Sequence, residues 1–215
     1  KSASDTELMR SQFRRMLQQI SYVNAPIYVG LFGFSPEIIR IVAGPGWEES
    51  AIALKILAIR GMLGALTQPA GSLILATGRT RLSLYWNAAT LVLLLACTSW
   101  FAPLGLTGIA SGVAIASVAL FLPCWFFLIG PLCGMSLCDY VDTSLRSVLI
   151  AIPAVWAAYL VSRGCDNVIV RMAIGVVTAA GLYTLASQFL NREPQEKILD
   201  ILVLKDVLKL RRQAR

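Results

Sequence analysis

The sequence predicts an all-α, polytopic membrane protein with a bundle of six transmembrane helices. Hydrophobic residues make up 57% of the chain and charged residues only 14%, and the mean hydropathy is +0.69. A soluble domain of this length is less apolar. Several apolar runs long enough to cross a bilayer are separated by clusters of proline, glycine and charged residues. Spanning helices have this pattern, whereas barrel strands are short and alternating.

The first elements are a basic arm and a bent span. Residues 1–19 carry apolar side chains at helical spacing between arginines, which predicts an interfacial helix on the cytoplasmic face. The first span is expected over residues 20–43, with bends at its prolines. Glu37 and Arg40 are three residues apart near its outer end, so we expect them to pair with each other. Glu37 is also a candidate for ion coupling, because no other carboxylate lies within a predicted span.

The second predicted span, residues 51–78, carries two cations inside an apolar run. At ~1.5 Å per residue it is about 40 Å long, and the bilayer core is roughly 30 Å thick. Arg60 therefore lies well inside the membrane, and Lys55 lies about one turn from the outer end. A cation at the centre of a span costs ~2.5 to 3.5 kcal/mol on insertion scales and usually faces a bundle interior or a wet cavity. Both cations are candidate site residues.

Helical geometry gives this span one small, polar and cationic face. The residues within roughly 60° of Arg60 on that face are Gly64, Thr67, Gly71 and Gly78. Small residues allow helices to approach closely in lipid, so we expect this face to look into protein or a cavity. Two alternatives stay open: Arg60 pairs with a carboxylate of a neighbouring helix, or Lys55 extends its ammonium group to water.

Four further spans complete the predicted bundle. They are expected over about residues 84–100, 106–129, 145–161 and 168–190. The fourth span contains a stripe of small residues, Gly108, Gly112 and Ala116, which suits close contact with another helix. The loop over residues 130–144 contains Asp139 and Asp142, which we expect to be solvated rather than catalytic.

The charges predict the orientation of the bundle. Residues 191–215 have the composition of a basic amphipathic helix lying on the cytoplasmic surface. Fourteen of the 19 Lys and Arg residues lie in the N-terminal arm, this tail, and the connections after the second and fourth spans. The positive-inside rule therefore places both termini in the cytoplasm. The net charge of +7 follows from this distribution, and no nucleic-acid motif accompanies it.

Metal, redox and enzyme functions have little support in the sequence. The chain has five cysteines and no histidine, and the two that share a loop, Cys133 and Cys138, do not complete a zinc site. There is no Gly-x-Ser-x-Gly motif and no P-loop. We therefore expect no metal, no cofactor and no enzymatic activity.

An ordered set of short motifs extends over residues 36–116. Its parts are Gly44-x-x-Trp47, Gln68-Pro69-x-Gly71, Gly78-Arg79 and Gly105-x-x-Gly108. The set resembles the C-terminal half of the polysaccharide-biosynthesis (Wzx-like) flippases of the multidrug/oligosaccharidyl-lipid/polysaccharide superfamily. The later spans match these proteins only in hydropathy.

The resemblance implies a transporter of the bacterial inner membrane with two MATE-like six-helix lobes and alternating access. This chain would be the second lobe, and a first lobe would precede it. The implied cargo is an undecaprenyl-diphosphate-linked oligosaccharide, flipped to the periplasmic leaflet for synthesis of O-antigen, capsule or exopolysaccharide. Other expected partners are membrane lipids, with the polysaccharide polymerase machinery as a further candidate and nucleic acid excluded.

The candidate site suits such a cargo. An arginine offers several donors to phosphate oxygens, so we expect Arg60 to bind the diphosphate, with Lys55 and Thr67 contributing. The alternatives are a MATE-like antiporter of small molecules or cations, and a membrane scaffold that does not transport. An exporter of organic cations should line its cavity with carboxylates and aromatic residues.

Overall fold

A computed structural model describes residues 3–165 and 167–190, and these residues are almost entirely helical. The helices are α1 Ala3–Gly33, α2 Ser35–Val42, α3 Glu48–Ala76, α4 Thr80–Phe101, α5 Gly105–Cys124, α6 Gly130–Cys133, α7 Leu137–Ser162 and α8 Val168–Leu190. The described ranges contain no β-strand, which confirms the all-α class. The predicted tail helix over residues 191–215 lies outside the described residues.

The described part of the chain contains several helical stretches that could cross a membrane. Four stretches are long and apolar enough to cross a bilayer, and a fifth is added if the bent pair α1–α2 counts as one span. They are Glu48–Ala76, Thr80–Cys133, Leu137–Ser162 and Val168–Phe189. The chain is therefore a multi-pass membrane protein, and the count of six spans stays a prediction.

The stretch Thr80–Cys133 folds back on itself. A 3-10 turn, Ala102–Leu104, joins α4 to α5, and Gly105 after it has a φ of 72°, which a residue with a side chain rarely adopts. The two helices then pack against each other in opposite directions. Further on, a π-helical segment, Trp125–Ile129, joins α5 to α6. This one apolar stretch thus contains a helical hairpin.

The helices pack in an order that differs from their order in the chain. α5 packs on both α3 and α4, while α3 packs on α1, α1 on α7, and α7 on α8. The contact between α3 and α4 themselves is slight. This arrangement leaves a groove between α3 and α4, with α5 at its floor.

The small-residue stripe of α5 sets the distance between α5 and α4. Gly108, Gly112 and Ala116 are all buried, which confirms the predicted role in close packing. A Cβ atom added to Gly112 would lie 2.7 Å from the carbonyl oxygen of Cys97 in α4. Because backbone cannot move as a side chain does, no larger residue fits there without separating the helices.

We expect Gly112→Leu to reduce the amount of folded protein, since overpacking costs about 1 to 3 kcal/mol. Gly181→Leu in α8 is the matched control, because a Cβ there meets no atom within 4 Å. Size-exclusion chromatography of the detergent-extracted protein measures both variants. Equal yields of the two variants would contradict the packing role of Gly112.

The bend in the first span is not at the position of its prolines. The chain turns by 75° between α1 and α2, at the Gly33–Phe34 step. Pro26 remains inside α1, and Pro36 lies in the first turn of α2, where its missing N–H costs no hydrogen bond. α1 also continues unbroken through residue 19, so the predicted interfacial helix and the first span form one helix. The membrane position of its first turns stays a prediction.

The loop predicted over residues 130–144 is too long. α7 begins at Leu137, and the hydroxyl of Ser136 accepts a hydrogen bond from the backbone N–H of Asp139 at 3.1 Å. The carboxylate of Asp139 also lies 2.6 Å from Nη2 of Arg10 in α1. Ser-x-x-Asp at residues 136–139 is a helix-start pattern that a reading of hydropathy alone overlooks.

Candidate functional site

A groove with a volume of about 320 Å³ lies between α3 and α4. Its polar lining residues are Arg60, Thr67 and Gln68 of α3, Ser83, Asn87 and Thr90 of α4, and Ser117 of α5. Its apolar lining includes Trp86 and several leucines. Among the described residues that line it, Arg60 alone carries a charge. We call this site the α3–α4 groove.

The α3 wall has the composition predicted from helical geometry. Arg60, Gly64, Thr67 and Gly71 all line the groove, so the small, polar and cationic face does look into a cavity. Gly78 does not line it, because α3 ends at Ala76 and the helical rotation stops before that residue. The grouping of these residues is confirmed, while their role stays a prediction.

Arg60 is not part of an ion pair in the described part of the chain. The ion pairs there join Arg10 to Asp139 and Arg171 to Glu37. The Arg60 side chain is exposed and has no side-chain hydrogen bond to a described residue. The structure therefore gives no support to the alternative in which a neighbouring carboxylate neutralises Arg60.

Lys55 does not line the groove, which corrects the expectation that two cations share one site. Lys55 and Arg60 are five positions apart, so the two side chains project about 140° apart around α3. Lys55 instead shares a stripe with Ala51 and Ala58, which are buried in helix contacts. Arg60 is thus the one cation that α3 presents to the groove.

Glu37 pairs with Arg171 of α8 and not with Arg40, so the predicted local pair is wrong. Nη2 of Arg171 lies 2.9 Å from Oε1 of Glu37, and the two side chains are 23% and 8% exposed. After the turn between α1 and α2, α2 packs on both α3 and α8, with the buried Glu37 against α8 and Arg40 exposed. Within the described ranges, Oε2 of Glu37 and Nε of Arg171 have no partner.

Tyr159 of α7 holds two guanidinium groups near its ring. The Cζ atoms of Arg163 and Arg171 lie 5.1 Å and 5.2 Å from the ring centroid, within the range of cation–π attraction. The phenyl ring of Phe34 meets the same ring edge-on at 5.8 Å. These contacts hold Arg171 beside Glu37 and join α2, α7 and α8 at one end of the bundle.

Most hydroxyl and amide groups of the groove are bonded within their own helices. The Thr67 hydroxyl donates to the carbonyls of Leu63 and Gly64 at 3.1 Å. Its proton is therefore already bonded within α3, whereas the sequence led us to expect that it would bond to a phosphate. Nδ2 of Asn87 donates to the Ser83 carbonyl at 2.9 Å. By contrast, the Thr90 hydroxyl is buried and has no partner among the described residues.

Inspection of the sequence missed the α4 wall of the groove. Its members recur at helical spacing over about three turns, in the order Ser83, Trp86, Asn87, Thr90 and Leu94. A polar stripe in an otherwise apolar span is a detectable signal. It was overlooked because none of these side chains is charged.

Comparison with curated proteins finds relatives associated with bacterial polysaccharides. The chain is 30% identical over 202 residues to the teichuronic acid biosynthesis protein TuaB of Bacillus subtilis (strain 168), a match that covers 92% of the chain and 41% of TuaB. It is 25% identical over 160 residues to the lipopolysaccharide biosynthesis protein WzxC of Escherichia coli (strain K12), covering 74% of the chain and 32% of WzxC. The chain is a relative of polysaccharide-biosynthesis membrane proteins. The resemblance seen in its motifs is thereby confirmed.

Another match of this kind, 27% identical over 194 residues, is an uncharacterized membrane protein in the cps region of Klebsiella pneumoniae. It covers 86% of the chain and 39% of that protein. The chain therefore spans about two fifths or less of the length of the curated relatives that it matches. No family model and no solved structure matches the chain.

Proposed function

We propose that this chain is part of a transporter that flips lipid-linked oligosaccharide from the cytoplasmic to the periplasmic leaflet of a bacterial inner membrane. Arg60 is the observation that carries the proposal, because it is a cation in a polar groove of an apolar bundle and has no ion-pair partner among the described residues. The relatives named for teichuronic acid and lipopolysaccharide synthesis supply the class of cargo. An undecaprenyl diphosphate bearing sugars is the substrate that fits both the cation in the groove and the polysaccharides for which the relatives are named.

The depth of Arg60 suits a diphosphate that crosses the membrane. Arg60 lies about 18 Å along α3 from Glu48, at ~1.5 Å per residue, and so falls within a hydrocarbon core of roughly 30 Å. A diphosphate leaving water loses its hydration, and a guanidinium group replaces it with charge-assisted hydrogen bonds in a planar, two-pronged geometry. Alternating access then exposes this site to each side of the membrane in turn.

Six spans with both ends in the cytoplasm complete the proposal. The hairpin of α4 and α5 supports counting the stretch Thr80–Cys133 as two spans. In this topology Arg79 and Arg81 lie at the cytoplasmic end of the groove, as the positive-inside rule requires. The groove then extends from the middle of the membrane at Arg60 to the cytoplasmic surface.

A small-cation antiporter is the less suitable alternative. Intramembrane carboxylates commonly mark the binding sites of transported cations, and none occurs among the described residues that line the groove. Glu37 is a buried carboxylate of the described helices, but it lies outside the groove and is already neutralised by Arg171. A membrane scaffold gives no role to an intramembrane arginine that has no ion-pair partner in the described part of the chain, and such an arginine is costly unless it binds something.

Cells that lack the whole protein provide the test. We expect them to lose the surface polymer and to accumulate the complete lipid-linked unit in the cytoplasmic leaflet, because synthesis of the unit continues while its export stops. Leaflet position can be measured with a membrane-impermeant glycosidase or lectin added to spheroplasts. Loss of the lipid-linked unit itself would indicate an enzyme or a scaffold for enzymes and would contradict transport.

A further inference from the structure

The cytoplasmic half of the α3–α4 groove has features that a phosphate site does not require. Here the lining residues are neutral, with Gln68 on α3, and Asn87 and Thr90 on α4. The indole of Trp86 lies in the same wall. The groove therefore has a cationic end at Arg60 and a neutral, hydrogen-bonding end.

The separation of these two ends follows from the helix directions. The Thr107 hydroxyl at the start of α5 lies 3.5 Å from the carboxylate of Glu49 at the start of α3, so α3 and α5 run in the same direction. α4 runs opposite to α5 and therefore opposite to α3. Because only three residues connect Ala76 at the end of α3 to Thr80 at the start of α4, residues equally far from this connection lie at similar heights along the groove. Trp86 therefore lies at about the height of Gly71. Arg60 is eleven residues from Gly71, or about 16 Å along the groove.

The polar groups of the neutral end are held in place with unused bonding capacity. Nδ2 of Asn87 donates to both the carbonyl and the hydroxyl of Ser83, at 2.9 and 3.3 Å, which leaves its carbonyl oxygen as an acceptor. The buried Thr90 hydroxyl has no partner in the described ranges. A buried polar group without a partner is destabilising, and Thr90 itself is half-buried and lines the groove, so a turn of its side chain lets a ligand there bond to the hydroxyl.

Trp86 provides a flat and rigid aromatic surface in the same region. It is half-buried, packs against the core cluster shared by α1, α3 and the segment after α5, and also lines the groove. Packing on one side limits its rotamers, while the remaining surface of the indole is available to a ligand. A diphosphate has no apolar face that could use such a surface.

We propose that Trp86, Asn87, Thr90 and Gln68 form a carbohydrate subsite for the sugar residues of the lipid-linked unit, whose diphosphate binds Arg60. This assignment rests on the proposed function and deepens it. Sugar hydroxyl groups match the amide and hydroxyl groups of this subsite, and the C–H face of a pyranose ring stacks on an indole. Because a site built to bond hydroxyl groups discriminates strongly against ligands that lack them, these residues determine which sugars are accepted.

The test uses the purified full-length protein and two lipids. One is undecaprenyl diphosphate without sugar, and the other is the lipid-linked oligosaccharide extracted from cells that lack the protein. We expect Trp86→Leu to weaken binding of the sugar-bearing lipid about tenfold and to leave binding of undecaprenyl diphosphate unchanged. Arg60→Ala should weaken binding of both. Trp100→Leu is the matched control, since Trp100 is 82% exposed and lies outside the groove.

Thr90→Val provides a second, nearly isosteric variant that keeps the test decisive if Trp86→Leu fails to fold. It removes one hydroxyl group, and we expect about a fivefold loss for the sugar-bearing lipid alone. An unchanged ratio of the two affinities in the folded variants would overturn the carbohydrate subsite and leave the proposed function intact. A wild-type protein that binds neither lipid would instead overturn the proposed function.

Discussion

Arg60→Ala is expected to abolish surface polymer while the amount of folded protein in the membrane stays near the wild-type level. Among the described residues that line the α3–α4 groove, Arg60 carries the one charge, and its removal takes that charge away. A diphosphate entering the groove then loses its hydration without replacement. No described residue is left with an unpaired charge by this change, so folding should not suffer. Polymer production and protein abundance should be measured in the same cells.

Two further variants sharpen this result. Arg60→Lys keeps the charge but loses the planar fork, so partial polymer production is expected. Lys55→Ala removes the other cation of α3, which lies outside the groove, and should leave the polymer near normal. Wild-type polymer from Arg60→Ala at normal abundance would mean that Arg60 does not bind the headgroup. A fall in abundance matching the fall in polymer would indicate a structural role instead.

Arg171→Ala is expected to cause a large loss of folded protein, in contrast to Arg60→Ala. It leaves the carboxylate of Glu37 buried without its partner, and breaking a buried ion pair on one side costs ~3 to 5 kcal/mol. The double variant Glu37→Ala with Arg171→Ala removes both charges and should recover part of the loss. Protein abundance in the membrane and thermal stability in detergent measure the effect.

Arg163→Ala is the matched control for this prediction. Arg163 lies over the same Tyr159 ring at almost the same distance as Arg171, but it is exposed and forms no ion pair with a described residue. We expect it to change the abundance little. Normal abundance of Arg171→Ala combined with lost transport would contradict a structural pair and would favour a coupling role for Glu37.

Local sequence patterns predicted the helices well, because each span is a long apolar run ended by glycine, proline or charge. The last predicted span, 168–190, coincides with α8. The grouping of Arg60 with Gly64, Thr67 and Gly71 was also predictable, since a single helical repeat relates them. Glycine spacing on α5 predicted its close packing for the same reason.

Contacts between helices distant in sequence could not be predicted in this way. The partner of Glu37 is on α8, and it depends on a 75° turn that no local pattern specifies. The pairing first expected, with Arg40, was the nearest one in sequence. The α4 wall of the groove likewise becomes a site only because α5 holds α3 and α4 apart. The tertiary arrangement, and not the spacing of residues, selects these partners.

Photo-cross-linking inside living cells tests the groove as the substrate path most directly. A photoreactive amino acid at position 67 faces the groove, whereas one at Val92 of α4 is exposed outside it. We expect position 67 of the full-length protein to cross-link to the lipid-linked oligosaccharide, and the product to disappear when Arg60→Ala is added. Cross-linking from position 92 alone, or a product at position 67 that persists without Arg60, would contradict this account.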